Sequence, residues 1–133
     1  MMKKMPLRMN KPIQNAILAA VLLAAVSASA APDPATQSLF TNLMEATVSD
    51  HYDDFIALCD ARMKSALTKP MLEEVSAQIK PHATQGYDSE YLGELNQRGY
   101  QVYLWRLKFK DGSDDILATM SLKEGRVGGF YLH

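Results

Sequence analysis

The spacing of apolar residues in this chain changes once, near Gly86, from the period of a helix to the period of a strand. That switch constrains the fold more than any other feature, because a 3.6-residue stripe and a 2-residue alternation bury different surfaces. Before Gly86, Leu39, Phe40, Leu43, Met44 and Thr47 recur at helical spacing and predict an amphipathic helix over 36–49. Ser49 or Asp50 is expected to cap a second helix, on which Tyr52, Phe55, Ile56 and Cys59 share a face. Asp53, Asp54 and Asp60 face water there, and the first two suit the positive end of the helix dipole. Residues 62–67 read as a short further turn. Thr68 and Pro70 then open a third helix with Met71, Leu72, Val75 and Ile79 as its apolar stripe, and Pro81 with Gly86 ends it.

After Gly86 the alternation predicts strands over 89–97, 100–110, 115–122 and 126–132. In the first, Tyr91 and Leu95 flank Gly93 and are expected on one face of the strand. The second is the strongest, with Tyr103, Trp105, Leu107 and Phe109 on one face and Arg106 and Lys108 on the other. In the third, Ile116, Ala118, Met120 and Leu122 alternate inward. Gln97-Arg98-Gly99 and Lys123-Glu124-Gly125 make turns, and Asp111-Gly112 is a hairpin signal because such turns need positive φ. Three helices followed by an antiparallel four-stranded meander is an α+β order, with the helices packed on one face of the sheet.

Residues 1–30 stand apart from this pattern. Lys3, Lys4, Arg8 and Lys11 come first with no acidic residue, and an uninterrupted apolar run from Ala16 to Val26 follows. Ser27-Ala28-Ser29-Ala30 closes it with small residues in the positions a signal peptidase reads. This is the order of a secretory signal peptide, with cleavage expected between Ala30 and Ala31. The run is shorter than the roughly 20 apolar residues of a membrane span; an uncleaved anchor is the competing reading. No cysteine is placed there to carry a lipid. The mature product is expected to be periplasmic or secreted and free of the membrane. It would comprise a poorly ordered entry segment over 31–36 and a single domain over 37–133.

The leader also hides the charge of that domain. Four of the 14 basic residues and none of the 15 acidic ones lie in it, leaving ten against fifteen and a net charge of −5. An acidic surface without a basic stripe argues against a nucleic-acid partner. Cys59 is the single cysteine, so no internal disulfide can form. Its apolar neighbours predict a buried structural thiol, with intermolecular pairing or thiol chemistry as alternatives.

The segment 37–132 resembles the small exported NTF2-like (cystatin-like, cone-shaped) domains, in particular the DUF3887 type. The resemblance rests on Phe40-Thr41-Asn42-Leu43, on His51-Tyr52-Asp53-Asp54-Phe55, and on the run from Asp60 to Leu67. Gly86 and the closing Gly125-Arg126-Val127-Gly128-Gly129-Phe130 belong to the same pattern. It implies a curved sheet wrapped around a helix, with a cavity at the open end. It does not imply an activity, because one fold hosts many functions.

No spacing in the chain demands a cofactor, a metal or a catalytic role. His51, His82 and His133 are far apart, and the adjacent pairs Asp53-Asp54 and Asp114-Asp115 diverge on their elements and read as solvated charge. Gly128-Gly129 lies in a strand, where glycine marks a bulge or a close approach. Tyr91, Tyr103, Trp105 and Tyr131 remain as a candidate ligand-stacking wall, against the plainer reading that such aromatics are core contacts. The expectation is a non-enzymatic exported domain binding a small apolar ligand or an envelope protein. One alternative is an isomerase- or lyase-like enzyme in which Glu94, Arg106, Tyr131 or His133 faces a cavity; another is a self-associating homodimeric module. The exported protein should give an intact mass and an N-terminal sequence starting at Ala31, and a product that still begins at Met1 would overturn the cleavage.

Overall fold

A computed structural model of the chain describes residues 31–133; the expected signal peptide lies outside the described residues. Four helices precede a four-stranded antiparallel sheet, so the domain is α+β. Helix α1 spans Pro34–Ser49, α2 Tyr52–Ala57, α3 Ala61–Ala66 and α4 Lys69–Ala83. Strands β1 (Tyr87–Gln97), β2 (Tyr100–Phe109), β3 (Ile116–Lys123) and β4 (Arg126–Leu132) follow in meander order.

Helix α1 starts inside the expected entry segment, which is therefore confined to residues before Pro34. Asp33 is the reason. Its carboxylate accepts the Thr36 N–H at 3.3 Å and the Thr36 hydroxyl at 2.6 Å, and Pro34 supplies a preset first-turn φ. Asp50 ends α1 in the left-handed region (φ 56°), its N–H returning to the Ala46 and Thr47 carbonyls, so it does not cap α2 as expected. The residue before α2 is His51, which makes no side-chain cap. The turn expected over 62–67 is a true helix, α3, because Asp60 accepts the Met63 N–H at 2.8 Å. Helix α4 has the expected Thr68 cap but is rotated: Leu72, Ser76, Ile79 and Ala83 are buried, whereas Met71 and Val75 are 50% and 39% exposed. Pro81 falls in its last turn instead of ending it, at the loss of one backbone donor.

Two hairpins use two-residue loops with both φ positive, Arg98-Gly99 and Glu124-Gly125. The β2–β3 connection is wider than the Asp-Gly signal predicts. It spans 110–115, and Asp111 acts through its side chain, accepting from the N–H and hydroxyl of Ser113. Strand β1 carries a bulge at Leu92: Tyr91 pairs with Trp105 but Gly93 pairs with Leu104. The bulge reverses the alternation, so Leu95 lies on the opposite face from Tyr91, contrary to the simple pattern. A second bulge at Gly128 lies between the pairs Leu122↔Val127 and Ser121↔Gly129. A Cβ at Gly128 would collide with the Tyr100 ring, which accounts for the glycine.

The core lies between the helices and the inner face of the sheet. Phe40 stacks on Trp105 with ring centroids 3.9 Å apart and planes 6° from parallel, and Leu43, Met44, Leu107, Ala118, Met120 and Val127 pack around them with essentially no exposure. Residues 58–60 run beside β4, with the Asp60 N–H donating to the Val127 carbonyl at 2.8 Å and the Val127 N–H to the Leu58 carbonyl at 3.0 Å. Phe40→Ala should lower the unfolding free energy by about 3–5 kcal/mol in urea titrations, as for other large core truncations. A loss below 1 kcal/mol would mean that this stack does not carry the core.

Candidate functional site

Three of the four expected site aromatics come together. The Tyr91 and Tyr103 rings lie 5.6 and 6.3 Å from the Trp105 ring, and all three arise from the inner face of β1 and β2. Helix α1 occupies the face a ligand would stack on: Phe40 covers the indole, and the indole N–H donates to the Gln37 side-chain oxygen at 3.3 Å. Trp105 is 1% exposed. Burial, and next the neighbouring Glu94, push the Tyr91 phenol above its ordinary value. Tyr131 is not part of this cluster. It pairs with Thr119 on the outer face, is 61% exposed, and stacks on His133 at 6.0 Å.

A groove of about 370 Å³ opens instead where α4 passes over β3 and β4. Its floor is Phe55, Leu72 and Ile79, all buried, together with the half-buried Ile116, Phe130 and Leu132. Met63 and Leu67 close one side, and Val75 lies exposed on the lining. Thr47, Gln78, His82 and Tyr131 are its polar residues, and no aspartate or glutamate lines it. The Thr47 hydroxyl is already used, donating to the Leu43 carbonyl at 2.7 Å.

The chain builds this opening with three local devices. Leu67 leaves α3 in an extended conformation, and the Tyr52 hydroxyl holds its carbonyl at 2.7 Å, which turns the backbone towards α4. Ser76 is small enough to bring α4 against α1, its hydroxyl donating to the Val48 carbonyl. The rotation of α4 then turns Val75, Gln78 and His82 along the groove. Of the ionisable residues that an enzyme would need, Glu94 bonds Gln101, Arg106 pairs with Glu90 at 2.7 Å on the outer face, and the backbone of the terminal His133 bonds Leu117. Of these residues only Tyr131 borders the groove, as part of the edge strand β4, and it is 61% exposed.

His82 and Gln78 are the groove residues that sequence reasoning missed. They recur at i and i+4 beside the apolar stripe of α4, a polar flank that looks like any solvated helix edge. His82 is tied down: its Nδ1 lies 2.8 Å from Asp111 of the β2–β3 connection, and its ring lies 5.7 Å from that of Phe109. The Ser113 hydroxyl, the Ser113 N–H and then His82 hold Asp111 down to about 2. Cys59 is the opposite case. Burial pushes its thiol up to about 11, so it stays protonated and packs as an apolar group.

Among the described residues, no group of three His, Cys, Asp or Glu side chains converges to hold a metal, and no helix is long and apolar enough to cross a membrane. Comparison with protein-family models, with characterised proteins and with solved structures finds no match.

Because the folded-state value of Asp111 is depressed, its contribution is present above the ordinary carboxylate value of 3.8 and is lost as pH falls towards 2. The stability gap between the wild type and Asp111→Asn, present at neutral pH, should close across that window in urea titrations. A gap unchanged at its lower end would refute the clamp.

Proposed function

We propose that residues 37–133 form an exported, non-enzymatic binding domain of the NTF2-like, DUF3887 kind, which takes a small apolar molecule in the groove beneath α4. The observation that carries this reading is the lining itself. Ligand sites are concave, mostly apolar, about 300–1,000 Å³ in volume, and carry few polar groups to orient the guest. The groove matches on each count, with Phe55, Leu72, Ile79, Phe130 and Leu132 as walls and Gln78 and His82 as polar groups.

The lack of a carboxylate on the lining favours binding over acid–base catalysis of the isomerase type, where a buried aspartate takes the proton. The basic leader and the acidic mature domain support an exported, soluble product that meets its ligand in the periplasm or outside the cell. The aromatic cluster around Trp105 is then a framework, and the binding site lies across the sheet from it, towards the β4 edge of the inner face.

Val75 gives a clean test, because it lines the groove yet is 39% exposed and outside the core. Val75→Trp should weaken binding of the apolar fluorophore N-phenyl-1-naphthylamine at least tenfold while leaving the melting temperature unchanged. Tyr103→Phe should leave binding as it is. If the fluorophore binds both variants as it binds the wild type, the site is not this groove.

A further inference from the structure

His82 is the one groove residue with an ionic partner, and that partner determines what the imidazole can offer. Asp111 is ionised at any working pH and can only accept, so the nitrogen 2.8 Å from it, Nδ1, carries a proton. In the neutral imidazole this leaves Nε2 with a free lone pair. His82 is on the groove lining and Asp111 is not, so Nε2, on the far side of the ring from Asp111, is the nitrogen left available to a bound molecule. The Phe109 ring and the Asp111 contact restrict rotation of the imidazole, which lowers the entropic cost of using it as an anchor.

We propose that the groove selects an apolar molecule bearing a hydroxyl group, whose O–H donates to His82 Nε2 while its hydrocarbon body lies against Leu72, Ile79 and Phe130. The proposal rests on the groove being a ligand site and adds the chemistry of the head group. A hydroxyl suits the site better than a carboxylate for two reasons. An acceptor lone pair repels a carboxylate oxygen, and a second anion would lie near Asp111 in a domain of net charge −5. Gln78, one helical turn before His82 and also on the lining, supplies an amide that can bond the same hydroxyl oxygen. The domain thus holds a donor and an acceptor together at one place on an otherwise apolar surface.

The experiment compares two isomers of equal size, octan-1-ol and heptyl methyl ether, by calorimetric titration of the mature protein at pH 8. Only the alcohol can donate. It should bind about five- to tenfold more tightly, the effect of one hydrogen bond, and the ¹⁵N resonance of His82 Nε2 should move upfield on its addition. His82→Phe, which keeps an aromatic ring beside Phe109, should bind both isomers equally and with the affinity of the ether for the wild type. Equal binding of the two isomers to the wild type, with no change at Nε2, would overturn the anchor and leave the groove standing. Binding of neither isomer would remove the groove reading, and the anchor with it.

Discussion

The stack of Phe40 on Trp105 is the contact on which the rest of the structure depends. It fastens the first helix to the second strand, and the indole N–H is answered by Gln37, 68 residues away in sequence, one turn before Phe40 on the same helix. A buried indole without such a partner would leave a donor unsatisfied. Phe130 continues the packing, 6.3 Å from Phe40 and 5.9 Å from Phe55, and so links the aromatic cluster to the floor of the groove. Phe40, Tyr91 and Tyr103 pack around Trp105 on the β1–β2 side of the inner sheet face. Towards the β4 edge Phe130 and Leu132 face Phe55, Leu72 and Ile79 of the helices, and there the packing stays open.

Each bulge changes what the sheet presents. The extra residue at Leu92 brings Glu94 opposite Tyr103 and sends Leu95 outward, where it joins Leu92, Leu117 and Tyr131 among the exposed apolar side chains. The extra residue at Gly128 lets the Tyr100 ring lie close against the β4 backbone, with Arg62 and Lys123 within 6 Å of the ring. The first shift had only a lone strand glycine, Gly93, as its trace, and the spacing of Tyr91 and Leu95 around it reads as simple alternation. The second had a signal: paired glycines in a strand mark a bulge or a close approach, and this site is both.

Four aspartates are joints of the fold, among them Asp60, expected from the sequence only to face water. Asp33 and Asp60 start helices, Asp50 terminates one in the left-handed region, and Asp111 shapes the β2–β3 connection and reaches His82. The caps at Asp33 and Asp60 follow a general rule, and the residues three positions on are where that rule places them. The Asp111–His82 contact follows no local rule. It joins residues 29 apart, and among the described residues it is the one ionic contact that a groove residue makes.

The class of the fold was legible in the order of residues alone. The change of period at Gly86, the turn glycines at 99 and 125, and the Thr68 cap specify helices followed by an antiparallel meander, because each acts through its own near neighbours. The aromatic face of β2 was equally legible, as four alternating large side chains. Which aromatics are consumed by the core, how far α4 is rotated, and that His82 and Gln78 border an open groove emerge with the packed domain. The physical reason is that these outcomes depend on volume and on distant partners. Phe40 fills the space over Trp105, Ser76 lets α4 approach α1, and a bulge reverses one strand, and no periodicity within a single element encodes any of them.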